Sequence, residues 1–402
     1  MSAVSKEPTG IKLNYDDVNI VPSVVTYVTH RLECNPYTSD FGTLPIIASG
    51  MSCVVSKENA DLFRQQDMLY VLPRNISFQE RVRILTSTNV SLGFVAFSLD
   101  ETEALFLENN GEKDKIAHKI SSYHWNPETN EPSQFEVMKV CIDIANGHMD
   151  RLIKLIKDIK DKFGNKVMIM SGNIANPETY KYYDKAGCDY VRLSIGTGNG
   201  CCTSSNVGVH YNIFSLLKET YEVKKAINGK CKLVADGGIK EYRDIQKALL
   251  FADYVMVGSM LNKALESAGK TTYGKSYFYW RGVRVLRPLK TLLTFGRVVP
   301  KRRYDKIKQD IRDGKLEVWK EYYGMSTKKA QLEINTANGR PYAPLKTGEG
   351  CVKRQKVEYT LAGWAENEAD FLRSAMSYTN SYTLEDYKNS QWIQGTQITY
   401  NK

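Results

Sequence analysis

The chain has no uninterrupted apolar segment of the roughly 18 residues needed to cross a bilayer, and no N-terminal basic-then-apolar secretion pattern. A cytoplasmic protein without a membrane partner is expected. Cysteine is sparse: eight are scattered through 402 residues, with no CxxC pair and no His/Cys cluster at zinc-ligand spacing. Reduced thiols follow, and Cys141 and Cys188, in or beside apolar runs, read as small buried hydrophobes. Solenoid repeats and low-complexity linkers are also missing, so a single domain over 1–402, carrying insertions, is expected rather than two domains.

What is there is a chain with 42% hydrophobic residues, enough for a substantial core, and a formal charge of +10. Such a balance suits nucleic acid, phosphorylated small molecules, or a solvated lysine-rich surface. Part of it concentrates in "WRGVRVLRPLKTLLTFGRVVPKRRYDKIKQ", residues 280–309. The basic segment 266–314 reads as a flap or oligomer contact, or as a solvated surface hairpin; nucleic-acid binding ranks below both.

From about residue 138 a rhythm repeats: a short β-branched apolar run, a polar or glycine-rich corner, then apolar residues three and four apart. The runs are "VMKVCIDIANG", "KVMIMSGNIANPE", "DYVRLSIGTG", "CKLVADGGIK" and "DYVMVGSML". Helical patterns separate them, as in "HMDRLIKLIKDIKDKFG" and "VGVHYNIFSLLKETYEVKKAIN". Earlier, "TLPIIASGMSCVV", "DMLYVLPRNIS" and "NVSLGFVAFSLD" read as three more buried strands. Strands alternating with helices imply parallel pairing, because each return needs a crossover of a dozen or more residues. The fold class is α/β, a (β/α)₈ TIM barrel with inserted flap segments; a doubly wound open sheet is the competitor. Asp143, Asn146, Asn173, Gly196, Gly198, Asp236, Gly237, Gly238, Gly258 and Ser259 all follow strands, where such a barrel places its chemistry.

Two of these corners, "VADGGIK" and "VMVGSM", put glycines just past consecutive strands. Backbone N–H groups there can approach an anion, and a following helix N-terminus adds partial positive charge. The plainer reading of Gly237 and Gly238 is a tight turn. Cys201 and Cys202 follow "GTGNG", a flexible corner from which a thiol can reach a ligand. Nearby N–H groups or a cation would favour the nucleophilic thiolate. Thr203 can direct its hydroxyl into the same pocket or simply cap a turn.

These motifs together resemble the inosine monophosphate dehydrogenase and GMP reductase family. "GTGNGCCT" resembles GPGSxCTT, with Cys201 at the nucleophile's place. "PIIASGM" resembles PIIAANM, "PRNIS" resembles HKNMS, and "CIDIANGH" resembles a strand ending D-x-A-N/H-G. "SGNIANPE", "VADGGI", "VMVGSM", "YYGMS", "GEG" at 348–350 and "LRSAMSY" follow in family order. The resemblance covers most of 44–378, weakly between 76 and 135 and not at all over about 266–314.

The resemblance implies a barrel in which the Cys201 thiolate attacks C2 of a purine nucleotide monophosphate, splitting one difficult substitution into two easier steps. Thr203 and Glu349 would relay a proton to the departing amine. Asp236 would hold the ribose hydroxyls. Gly238, Gly258 and Ser259, with Tyr323 and Gly324, would hold the phosphate, and Met51, Arg74, Gly237 and Met325 would also contact the substrate. Asp143, Asn146 and Gly147 would face the nicotinamide cofactor. Carbonyls of Gly196, Gly198 and Cys201 would bind a monovalent cation such as K⁺, and a homotetramer is implied.

Within the family the motifs lean toward the reductase, which uses NADPH. Residues 76–135 are too few to contain the paired regulatory domain that dehydrogenases usually insert after the "PRNIS" position, and "KEYYGMS" resembles the reductase's FYGMS. The dehydrogenase, which uses NAD to convert IMP to XMP, activates water with an adjacent Arg-Tyr pair. Here Arg340 and Tyr342 are separated by a proline. Thr197, Cys202, Ser204, Arg74 and Gly50 depart from the family pattern, which keeps a variant guanine nucleotide or a non-catalytic nucleotide-binding barrel in view. An FMN-dependent barrel is the reading from another class.

Overall fold

All eight apolar runs become strands. In the computed structural model, β1 (Ile46–Ala48), β2 (Leu69–Leu72), β3 (Gly93–Phe97), β4 (Met138–Asp143), β5 (Val167–Ile174), β6 (Tyr190–Leu193), β7 (Lys232–Asp236) and β8 (Tyr254–Val257) pair in parallel, each with the next. β8 then pairs with β1, with Val255 opposite Ile46. The sheet is therefore a closed barrel, which excludes the open doubly wound alternative. The structure describes residues 10–87, 92–108, 111–121, 125–126, 131–132, 137–198, 203–280, 283–287, 301–313, 315–341 and 350–395.

Strand alternation divides the core in two. Ile47, Leu69, Val71, Phe94, Ala96, Cys141, Met170, Tyr190, Val234, Tyr254 and Met256 pack into one cluster, the lumen of the barrel. Their strand neighbours, such as Ile46, Tyr70, Val95, Val140, Val191 and Val255, belong to a second cluster under the helices. In the helix Asp150–Phe163, Leu152, Leu155, Ile156 and Ile159 form the buried stripe, and Gly164 ends it at φ +55°. The helix Ile213–Ile227 likewise ends at Asn228 in the left-handed region.

Two excursions leave this plan. Between the helix Leu99–Phe106 and β4 lie the helix Gly111–Ser121 and a small hairpin, Trp125–Asn126 with Glu131–Pro132. After β8 the chain makes one turn, Ser259–Asn262, then builds a four-stranded antiparallel sheet. Its strands are β9 (Thr271–Trp280), β10 (Val283–Arg287), β11 (Leu316–Tyr323) and β12 (Val352–Lys356), in the order β10-β9-β11-β12. The helix Lys301–Arg312 packs on it through Ile307, which joins Leu265, Leu316, Val318 and Val357 in a small core of its own. The basic segment 266–314 is therefore more than a surface hairpin: β9 pairs with β11, which ends in the YYGMS motif. The helix Leu361–Tyr378 then returns to the barrel. Among the described residues, no helix is long and apolar enough to cross a membrane.

Candidate active site

Counting two residues past the lumen cluster identifies the layer at the C-terminal mouth of the barrel. From Cys141 the count reaches Asp143, from Tyr190 Arg192, from Val234 Asp236, and from Met256 Gly258. The three charged residues meet. Arg192 Nη2 donates to Asp143 Oδ1 at 3.0 Å and to the Gly172 carbonyl at 3.3 Å, and its Nη1 lies 3.7 Å from Asp236 Oδ2. Arg74 Nε donates to the other Asp143 oxygen at 3.1 Å. Asn173 Nδ2 donates to Asp236 Oδ2 at 2.7 Å.

The two carboxylates consequently differ. Burial would raise Asp143, but Arg74 and Arg192 outweigh it and hold the carboxyl below its usual range. Burial also raises Asp236, and here Arg192 and Asn173 offset it only in part while the nearby Asp143 adds to the rise. Asp143 is thus an ionised acceptor, and Asp236 is the more easily protonated of the two. In the lumen beneath them burial pushes the Cys141 thiol up to about 12, which makes it inert.

Around this layer the glycine corners interlock. Gly237 has φ +133°, and a Cβ there would collide with Thr197 Oγ1 and lie 2.9 Å from Ser194 Oγ. Thr197, standing where the family has proline, bonds Ser194 through its hydroxyl. The corner leading toward Cys201 and the glycine corner after β7 are therefore in direct contact. A Cβ on Gly258 would sit 2.9 Å from Met51 Sδ, which brings the corners after β1 and β8 together. Gly147 approaches the Asn173 carbonyl so closely that a Cβ would lie 2.7 Å from it. Asn146 is exposed, and its side chain accepts from the His148 N–H at 3.1 Å. Ser259 Oγ donates to the Ile239 carbonyl at 3.2 Å. The expected helix N-termini are modest: the helix after Gly258 is a single turn, and the one after Gly238 begins only at Tyr242.

The flap joins the mouth through β11 and the turn and helix after it. Tyr323 Oη donates to Glu333 Oε1 at 2.7 Å, and Ser52 Oγ donates to the other Glu333 oxygen at 2.7 Å. The hydroxyl is thereby engaged, so any phosphate contact from Tyr323 falls to its backbone. The Gly324 carbonyl accepts from Thr327 and the Met325 carbonyl from Gln331. Beyond the helix Lys328–Ala337, Asn338 is a hub: Oδ1 accepts from Phe78 N at 2.9 Å and Arg81 Nη2 at 3.1 Å, and Nδ2 donates to the Arg74 carbonyl at 3.2 Å. Arg81, fully buried, grips Glu101 with both Nη atoms at 2.9 and 3.0 Å. Arg340 adds a third contact to Glu101 at 3.3 Å.

Of the residues expected from sequence, Met51, Arg74, Asp143, Gly147, Asp236, Gly237, Gly238, Gly258 and Ser259 are brought to one end of the barrel, with Tyr323, Gly324 and Met325 on the flap. Gly196 and Gly198 belong to the corner after β6, where the Gly196 carbonyl already accepts from Ser204 Oγ at 3.0 Å. Thr203 opens the short helix Thr203–Val207. Cys201 and Glu349 lie outside the described residues. Sequence reasoning passed over Arg192, Asn338 and the Arg81–Glu101 pair. Arg192 had a signal, a cation inside an apolar strand and in phase with Tyr190; Asn338 had none.

Comparison with known proteins agrees with this geometry. The family described as IMP dehydrogenase / GMP reductase domain matches residues 12–314, and β11, β12 and the helix Leu361–Tyr378 lie beyond the match. A protein named GMP reductase from Staphylococcus saprophyticus is 30% identical over 275 residues, covering 66% of this chain and 75% of that one. Proteins of the same name from Staphylococcus aureus and Staphylococcus epidermidis are each 29% identical, covering 66% of this chain and 76% of theirs. With a closed eight-stranded barrel whose mouth carries the family's corner motifs, and a match over more than half its length, the chain belongs to the IMP dehydrogenase / GMP reductase family.

Proposed function

We propose that this enzyme is of the reductase type, converting GMP or a related guanine nucleotide to IMP and ammonia. In this reading Cys201 Sγ attacks purine C2, and the C2–N bond breaks as Thr203 and Glu349 pass a proton to the leaving ammonia. NADPH, when bound, supplies the hydride that C2 gains as the C–S bond breaks and IMP leaves. Asp236 accepts from the nucleotide ribose hydroxyls. The backbone at Gly238, Gly258, Ser259, Tyr323 and Gly324 holds the phosphate in this reading, and Met51, Arg74, Gly237 and Met325 complete the substrate contacts. Asp143, Asn146 and Gly147 hold the cofactor's nicotinamide end. The ionised Asp143, kept so by two arginines, suits an acceptor of ribose hydroxyls. Carbonyls of Gly196, Gly198 and Cys201 are the proposed K⁺ ligands, and the assembly is a homotetramer.

One observation favours the reductase over the dehydrogenase: Arg340, half exposed, donates to Glu101 at 3.3 Å, a carboxylate it shares with the buried Arg81. Such an arginine is poorly placed to activate water. The chain also passes from "PRNIS" directly through the helix Phe78–Thr86 to β3, with no inserted domain.

The test is anaerobic incubation with GMP and NADPH, following NADPH oxidation and ammonia together, beside a parallel reaction of IMP with NAD. Ammonia in step with NADPH loss is expected. Turnover of IMP alone would make the enzyme a dehydrogenase; silence in both would leave a binding barrel or another purine. Cys201→Ala should abolish turnover and retain nucleotide binding, and retained turnover rejects the reading.

A further inference from the structure

The mouth layer contains a cation that none of the roles above uses. Arg192 is 6% exposed and projects from β6 into the top of the lumen. It reaches carboxylates at the ends of two strands, β4 and β7, that are not neighbours in the barrel. Its Nε–H has no acceptor among the described residues, so its two Nη groups carry the contacts. The charges around it close as a set of two and two: Arg74 and Arg192 against Asp143 and Asp236. Among the described residues, Cys141 beneath and Asn173 at the side complete the polar groups that face these carboxylates, with Tyr15 near Asp236.

We propose that Arg192 is the positioning residue of the site, one buried guanidinium holding at once the carboxylate that faces the cofactor and the carboxylate that faces the nucleotide. The assignment of those two faces rests on the reductase reading; the shared cation does not. A guanidinium can serve both because its nitrogens form a planar fork, whereas a lysine ammonium is a point charge on a flexible stem. Asp143 has a second cation in Arg74, while Asp236, among the described residues, has Arg192 and an amide. The two carboxylates should therefore respond differently to the same substitution. Removing the cation weakens the hold on both, though Arg74 stays with Asp143. Replacing it with lysine leaves Asp143 served, because that contact is shorter and Arg74 remains, and strands Asp236.

The experiment is a carboxyl ¹³C NMR titration of the full-length, ligand-free protein labelled at aspartate, with Asp143→Asn and Asp236→Asn assigning the two signals. In Arg192→Met both midpoints should rise, by about one pH unit or more, the effect of an opposite charge within a few ångströms. In Arg192→Lys only Asp236 should rise. An unmoved Asp236 in Arg192→Lys, a variant that keeps the charge if methionine is not tolerated in the fold, overturns the proposal, as does Arg192→Met with one signal unmoved. A purely packing role for Arg192 would lower stability without separating the two signals. The kinetic counterpart is a split: in Arg192→Lys the acid limb of kcat/KM for the nucleotide moves to higher pH while that for the cofactor stays in place. Because the NMR arm needs no ligand, absence of ammonia release by the wild type would overturn the reductase reading and leave this inference standing or falling on the two midpoints.

Discussion

The two ends of the barrel use buried charge for opposite purposes. At the N-terminal end Asp40 accepts from Tyr254 Oη at 2.6 Å and Tyr190 Oη at 3.2 Å and pairs with Lys232, so its acceptors are filled from several directions. Asp253, just before β8, is clamped by Lys224 at 2.9 Å and Lys388 at 2.6 Å and also accepts the Leu233 N–H. At the C-terminal end two carboxylates share Arg192, with Arg74 on one of them, and the corners around them are glycines. Closure at one end consumes hydrogen-bonding capacity. The other end keeps capacity for ligands, in line with the general division of barrels into a stabilising bottom and a catalytic top.

The sharpest way to break this comparison is at Gly237. A methyl group there meets Thr197 and Ser194 on a backbone that disfavours side chains, so Gly237→Ala should reduce kcat/KM on the order of 100-fold. Its loss of stability, read by urea denaturation, should be the smaller consequence. Asp40→Ala should do the reverse. The Tyr190 hydroxyl loses its acceptor while that of Tyr254 keeps Thr38, at a cost of about 2 kcal/mol, tempered because Lys232 is one-third exposed. Turnover per folded molecule should be unchanged, and a selective loss of activity would erase the distinction between the ends.

Two smaller effects sharpen it through pH. Burial would raise Asp253, but Lys388 and Lys224 lower it to about 2. Its folded value lies below its unfolded one, so it contributes stability above about pH 4 that is lost as pH falls toward 2. Asp253→Asn should remove about 2 kcal/mol near neutrality and flatten the acid limb of a denaturation series. Lys139, over the Phe41 ring at the bottom of the lumen, is lowered to about 8 by burial. The unfolded chain then binds the extra proton between about pH 8 and 10, so stability rises with pH across that window. Lys139→Met should weaken that rise without removing it, because Lys320 is lowered to about 8 as well. An unchanged slope would mean that Lys139 is not desolvated.

Much of this was legible from residues near one another in the chain. The run "VMKVCIDIANG" contains both the lumen residue Cys141 and the mouth residue Asp143, because a period of two carries one face outward along the strand. The glycine corners were legible for the same local reason. The flap was only half legible: the charge-rich stretch marked 266–314, but the sheet it joins continues to Lys356 through strands whose composition does not set them apart.

By itself, then, the sequence determined the strands, their inward faces and the corners after them, since backbone geometry makes these properties of adjacent residues. Only the tertiary structure decided that Arg192 meets Asp143 and Asp236, 49 and 44 residues away, and that Asn338 reaches the Arg74 carbonyl across 264. Those partners lie across the lumen or across the flap. Which side chains face each other there depends on the closure and stagger of the whole barrel, a property that no single strand possesses.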